Sequence, residues 1–138
     1  MKKTIILSLV IALLTAPAFG FKQEDLDKLK ATNSCEKCDL AKANLNVADL
    51  TKAKLERANL FKAYLRGADL YKADLTKANL IEAILREANL SDANLTGAVL
   101  LDAQIDFADF INAKLCNTVM PDGQRIFQDC SRDIGKDE

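Results

Sequence analysis

The sequence of 138 residues contains no histidine and no tryptophan, and only two prolines. The missing histidine removes imidazole acid–base catalysis, histidine-activated serine or cysteine nucleophiles, and histidine-containing metal sites. Glycine is scarce at five residues, and Gly67 and Gly97 stand alone, so there is no glycine-rich phosphate loop. Neither sign of charge dominates: 19 Lys plus Arg face 20 Asp plus Glu, a formal net charge of -1. That balance excludes a polyanion binder held by bulk charge, and equally a strongly acidic mimic of nucleic acid. Ser34, Ser91 and Ser131 have no base partner in the sequence pattern. What is present is 49% hydrophobic and 28% charged residues, a composition of neither a disordered chain nor a polytopic membrane protein.

The one long apolar run lies at the start. Lys2 and Lys3 precede an apolar stretch from Thr4 to Leu14, followed by the small-residue segment Thr15-Ala16-Pro17-Ala18-Phe19-Gly20. This three-part order predicts a secretory signal peptide over residues 1–20, cleaved after Ala18 or Gly20. The run is short for a membrane span. Cleavage after Gly20 would leave 118 residues and, with Lys2 and Lys3 gone, 17 cations against 20 anions. The expected address is exported: periplasm, or lumen or extracellular space, with no membrane attachment after cleavage.

From residue 38 onward the sequence repeats every five residues. Leucine occupies every fifth position from Leu40 to Leu100, and Ile105, Phe110 and Leu115 complete 16 bulky apolar positions. Two residues before each stands alanine, from Ala43 to Ala113, with Cys38 in the first place of that column. The residue between is most often Asp or Asn, as at Asp49, Asn59, Asp69 and Asn79. A five-residue step turns a helix by roughly 140° and smears leucine around it. A straight strand would send successive leucines to alternate faces. The pattern makes sense if each pentad is a short strand followed by a turn. Alanine and leucine then share the inside of a coil, and the Asx residue points outward, where it can bond to the turn backbone.

The frame Ala-Asp/Asn-Leu-x-x, as in Ala48-Asp49-Leu50, Ala58-Asn59-Leu60, Ala68-Asp69-Leu70 and Ala78-Asn79-Leu80, resembles the pentapeptide repeat family over residues 38–117. The resemblance implies an all-β solenoid: a right-handed quadrilateral β-helix with four pentads per coil, hence about four coils. Apolar outward residues repeat at that 20-residue interval (Phe61, Ile81, Leu101; Tyr64, Ile84), as do the opposite charges Lys62/Glu82 and Lys72/Asp92. The family's best-known role is mimicry of duplex DNA by acidic rods that bind DNA gyrase. This chain departs from it in its short rod, its near-neutral charge and its leader.

A solenoid needs caps. Residues 21–37 are expected to supply one: a short helix over Phe21–Ala31, covering the first coil with Leu26 and Leu29, and then a Cys turn. Residues 118–138 are expected to form the other cap, with Ile126 and Phe127 plugging the end and a loose tail from about Arg132. Four cysteines in an exported chain suggest disulfides. Four coils would separate the ends by roughly 15–20 Å, whereas bridged Cα atoms lie within ~7 Å. Cys35 is therefore expected to pair with Cys38, and Cys116 with Cys130. The alternative for Cys35-Glu36-Lys37-Cys38 is a thiol–disulfide redox site, which wants a helix N-terminus that the pattern does not provide.

The functional expectation is a non-enzymatic exported module, with no cofactor, no metal and no nucleic acid. It would show side-chain columns to an unknown protein partner or to a second copy in a homodimer. The candidate interaction surface is Phe61, Ile81 and Leu101 at one corner, Tyr64 and Ile84 beyond it, and Val99 before it. The fifth residue of the pentads also changes sign along the rod, from Lys42, Lys52, Arg57, Lys62, Lys72 and Lys77 to Glu82, Glu87, Asp92 and Asp102.

Overall fold

The structure is a computed structural model that describes residues 20–128 and 130. The signal peptide expected over residues 1–20 lies outside the described residues except for Gly20, as does the tail beyond residue 130.

The backbone records the period of five directly. Positive φ, between 54° and 69°, recurs at every fifth residue from Lys37 to Asn117. In each pentad the residue after that one donates its N–H to the carbonyl of the preceding leucine, as Ala43 does to Leu40 and Ala78 to Leu75, at 3.0 and 2.9 Å. Each pentad therefore closes a tight turn with its fifth residue in the left-handed region. Gly67 and Gly97 fit that region freely, but most of its occupants are Lys, Arg, Glu, Asp and Asn.

Between turns only one residue per pentad is extended enough to pair. Parallel bridges join Asp39 to Asn59, Asn44 to Tyr64, Asp49 to Asp69 and Lys54 to Asp74, and continue to Val99 with Val119. Every partner lies 20 residues away, so four pentads complete one coil and coils stack in parallel. The strands expected from the repeat thus shrink to isolated bridges. Among the described residues only β1 (Cys116–Val119) and β2 (Arg125–Phe127) are longer, and they pair antiparallel.

The inside is as the repeat requires. Leu55, Leu60, Leu65, Leu70, Leu75 and Leu80 are fully buried, as are the alanines from Ala53 to Ala63 and from Ala73 to Ala83. Outward Asx residues bond twice. Asn59 Oδ1 accepts the Phe61 N–H at 3.2 Å, closing the turn, while its Nδ2 donates to Asp39 on the coil below at 3.0 Å. Asn79 repeats this toward Asn59 and Asn89 toward Asp69.

The first coil is covered by α1 (Gln23–Thr32), which buries Leu26 and Leu29. The helix begins two residues later than its sequence suggested, because Lys22 is extended and Phe21 packs against the core instead. Asp25 fixes the helix to the coil by accepting the Asp39 N–H at 2.8 Å. At the other end, Ile105, Phe110 and Leu115 continue the leucine column but are only half-buried. In β2, Ile126 is half-buried and lines a cleft with Ile105 and Met120, whereas Phe127 is 66% exposed.

Candidate interaction face and cysteine pairs

The cysteine pairs are local. The Sγ atoms of Cys35 and Cys38 are at disulfide distance, with Cα atoms 5.3 Å apart, and those of Cys116 and Cys130 likewise at 4.7 Å. Cys35 is completely buried and Cys38 is 5% exposed, since Cys38 holds the first inward place of the alanine column. A catalytic disulfide must be reached by a second thiolate, and this one lies beneath α1 and the first coil. Among the described residues, no group of three or more acidic or cysteine side chains is placed to hold a metal ion.

The apolar residues singled out in the sequence do gather. Lys62 donates its N–H to the Ile81 carbonyl and Glu82 to the Leu101 carbonyl, each at 2.9 Å, so Phe61, Ile81 and Leu101 stand on successive coils at one corner, about 4.8 Å apart. Tyr64 and Ile84 bridge each other on the next side, and Val99 lies on the preceding side. Tyr64 is 46% exposed and Leu101 37%, while Phe61, Ile81, Ile84 and Val99 are half-buried. The corner is partly flanked at its ends. Gly20 and Phe21 border a cleft with Lys42, Asn44 and Tyr64, and Gly123 sits beside Leu101.

Charges run along the same corner. The Lys62 ammonium lies 3.1 Å from the Glu82 carboxylate and 5.1 Å from the centre of the Phe61 ring. The companion pair expected from the sequence does not close. Lys72 leans on Tyr71, 5.0 Å from the ring centre. Tyr71 first, and then Asp92, push the pKa of that exposed lysine upward. On another side the Thr51 backbone N–H, 3.1 Å from Asp49, holds this carboxyl below the usual carboxylate range, which is the turn-closing Asx bond seen electrostatically.

Three exposed apolar residues of the coils were not in the sequence-based set, one of them Ile111 at 63%. Val47 is 80% exposed and Phe107 86%, and both occupy the left-handed position with φ of 57° and 58°. Their signal was present: they are the apolar members of a column otherwise filled by charged residues, Gly and Asn.

A family model describing pentapeptide repeats, in eight copies, matches residues 34–67, 48–86 and 83–120, together more than half of the chain. Among solved structures, a pentapeptide repeat protein from the Arabidopsis thaliana thylakoid lumen is 31% identical, covering 62% of this chain and 64% of its own length, with a TM-score of 0.54. A pentapeptide repeat protein from Nostoc PCC 7120 is 32% identical over 72% of this chain and 79% of its own, with a TM-score of 0.41. QnrB1, a plasmid-mediated fluoroquinolone resistance protein, is 14% identical over 62% of this chain and 52% of its own, with a TM-score of 0.34. No curated protein matches.

Proposed function

Because the chain belongs to the pentapeptide repeat family, we propose that it is an exported, non-enzymatic interaction module. It is a right-handed, four-sided rod whose rigid coils present the Phe61/Ile81/Leu101 corner and the adjoining Tyr64/Ile84 side to another protein surface. The observation that carries this reading is the register. Outward positions of the repeat are free to be polar, yet apolar side chains recur there at the 20-residue interval on one side. Anchors on a rigid backbone lose little entropy on binding.

Export is supported by the signal-peptide grammar of residues 1–20 and by the two cysteine pairs at disulfide distance. The thylakoid-lumen source of a relative 31% identical fits the same address. In this reading both pairs are oxidised and structural. Non-reducing peptide mapping of the exported protein should find Cys35 linked to Cys38 and Cys116 linked to Cys130; a bridge between the two ends, or free thiols, would overturn it.

The interaction reading is tested with the double variant Phe61→Ser/Ile81→Ser. Both side chains are half-buried and outward, so the variant should melt within a few degrees of the parent. It should nevertheless lose the associations that the parent makes in pull-downs from the exported fraction. Unchanged association in a variant that melts like the parent would remove this corner from the function.

A further inference from the structure

The side that carries Tyr64 and Ile84 is self-complementary under one symmetry operation. Reading up its bridges, the residues are Asn44, Tyr64, Ile84 and Gln104: amide, apolar, apolar, amide. The corner before it carries Lys42, Lys62, Glu82 and Asp102, two cations and then two anions, all exposed. The corner after it begins with Val47 and ends with Phe107, the two most exposed apolar residues among those described.

We propose that two copies of the chain pack side by side and antiparallel through this face, as a homodimer. The two-fold axis would lie in the face, perpendicular to the rod, between the coils of Tyr64 and Ile84. The proposal rests on the interaction reading above and names its partner as a second copy.

The geometry of that operation is simple. It reverses the direction of the rod but keeps each corner against the same corner of the other copy. Coil one then meets coil four, and coil two meets coil three. Tyr64 faces Ile84 of the other copy, and Asn44 faces Gln104. Lys42 faces Asp102, and the Lys62–Glu82 ion pair, 3.1 Å long within one chain, meets its own inverse. Val47 faces Phe107. A parallel arrangement would instead set Lys62 against Arg66 and Asp102 against Asp106, like charge on like, with Glu82 against Arg86 the one attraction between these corners. The antiparallel packing has one like-charged juxtaposition, Arg66 against Arg86. Each of these already holds a carboxylate of its own chain, Glu87 at 2.9 Å and Asp106 at 3.6 Å.

Two further observations point the same way. The whole rod is polarised: residues 38–77 hold eight cations and five anions, and residues 78–117 two cations and six anions. Antiparallel association opposes these unequal halves, which favours encounter in that orientation. Second, a β-branched or aromatic side chain is costly in the left-handed region. Valine and phenylalanine stand there, exposed, on the two coils that the two-fold axis brings together.

The test is sedimentation equilibrium of the exported protein and of two charge-reversal variants. The parent should show a monomer–dimer equilibrium with a dissociation constant on the order of 10 μM, as befits a small interface, weakening as salt is added. Lys42 and Asp102 stand three coils apart, about 14 Å, too far to pair within one chain. Lys42→Glu alone and Asp102→Lys alone each turn two symmetry-related attractions into repulsions, and each should weaken the homodimer by about tenfold or more. An equimolar mixture of the two variants restores both pairs and should dimerise with the parental constant. Val47→Asp, which alters no ion pair, should also weaken the dimer. The Lys42 and Asp102 variants should melt like the parent, since the positions are exposed, and Val47→Asp should melt no lower, since it replaces a β-branched residue in the left-handed region. A parent that stays monomeric at every concentration overturns the homodimer and leaves the foreign-partner form of the reading to the Phe61→Ser/Ile81→Ser pull-down. A dimer that both single variants preserve, or that the mixture fails to restore, places the interface elsewhere and overturns it too.

Discussion

Ala78→Leu is expected to destabilise the protein by about 1–3 kcal/mol or more, whereas Lys77→Leu, one residue earlier, should cost about 0.5 kcal/mol or less. Ala78 is completely buried. Its backbone is held from both directions: its N–H donates to Leu75 at 2.9 Å and its carbonyl accepts the Val99 N–H at 3.1 Å. The Cα therefore cannot retreat when the side chain grows. The added atoms would enter a space already shared by fully buried leucines and by the alanines of the other sides. Close-packed interiors accept such growth only through off-rotamer side chains or backbone shifts. A shift here would strain bonds to the coils on both sides. Lys77 is outward and exposed, with the same positive φ in either variant, so leucine there adds no new backbone strain. Thermal melts of the two variants compare the two sides of the wall directly. Equal small losses would contradict a lumen that admits only alanine.

That contrast could be stated from the sequence because alanine and leucine repeat without interruption, and the 20-residue coil showed in the spacing of Phe61, Ile81 and Leu101. The Lys62–Glu82 contact followed from the same spacing. Other features left no trace in residue type. The left-handed fifth position is mostly lysine, glutamate, aspartate and arginine, which carry no glycine-like signal; the turn geometry imposes the φ and exposure then favours charge. Lys72 and Asp92 have the same spacing as Lys62 and Glu82, and each lysine leans on the ring of the residue before it, yet only Lys62 also reaches its carboxylate; the spacing alone does not separate the two cases. The face itself was half legible. Its apolar residues could be counted from the sequence. The proposed meeting of Val47 with Phe107 could not, because their spacing of three 20-residue coils puts them in one column but does not say that a second copy, turned end for end, brings the two ends of that column together.

The second large effect tests where the stability of the rod resides. Leu75→Ala is expected to cost about 2–5 kcal/mol, and Leu115→Ala about 1 kcal/mol. The two leucines hold equivalent places in their pentads, so propensity and local turn chemistry are matched. Leu75 is fully buried, and its coil pairs both downward and upward: the Leu75 N–H bonds to Asn94 and the Asp74 N–H to Ala53. Removing its side chain leaves a cavity that stacked backbones on both sides hold open. Leu115 is half-buried on the last coil, and the end of that coil is met by the short β2. Truncation there can relax toward solvent and removes less apolar area from the interior. In a stack of coils each unit contacts only its neighbours, so an end unit carries one interface and a central unit two. Chemical denaturation of both variants should give a clear reduction in midpoint for Leu75→Ala and a small one for Leu115→Ala, with similar slopes. If Leu115→Ala matched Leu75→Ala, the last coil would have to be covered as thoroughly as the middle of the rod, and Leu115, like Leu75, would be a fully enclosed core residue.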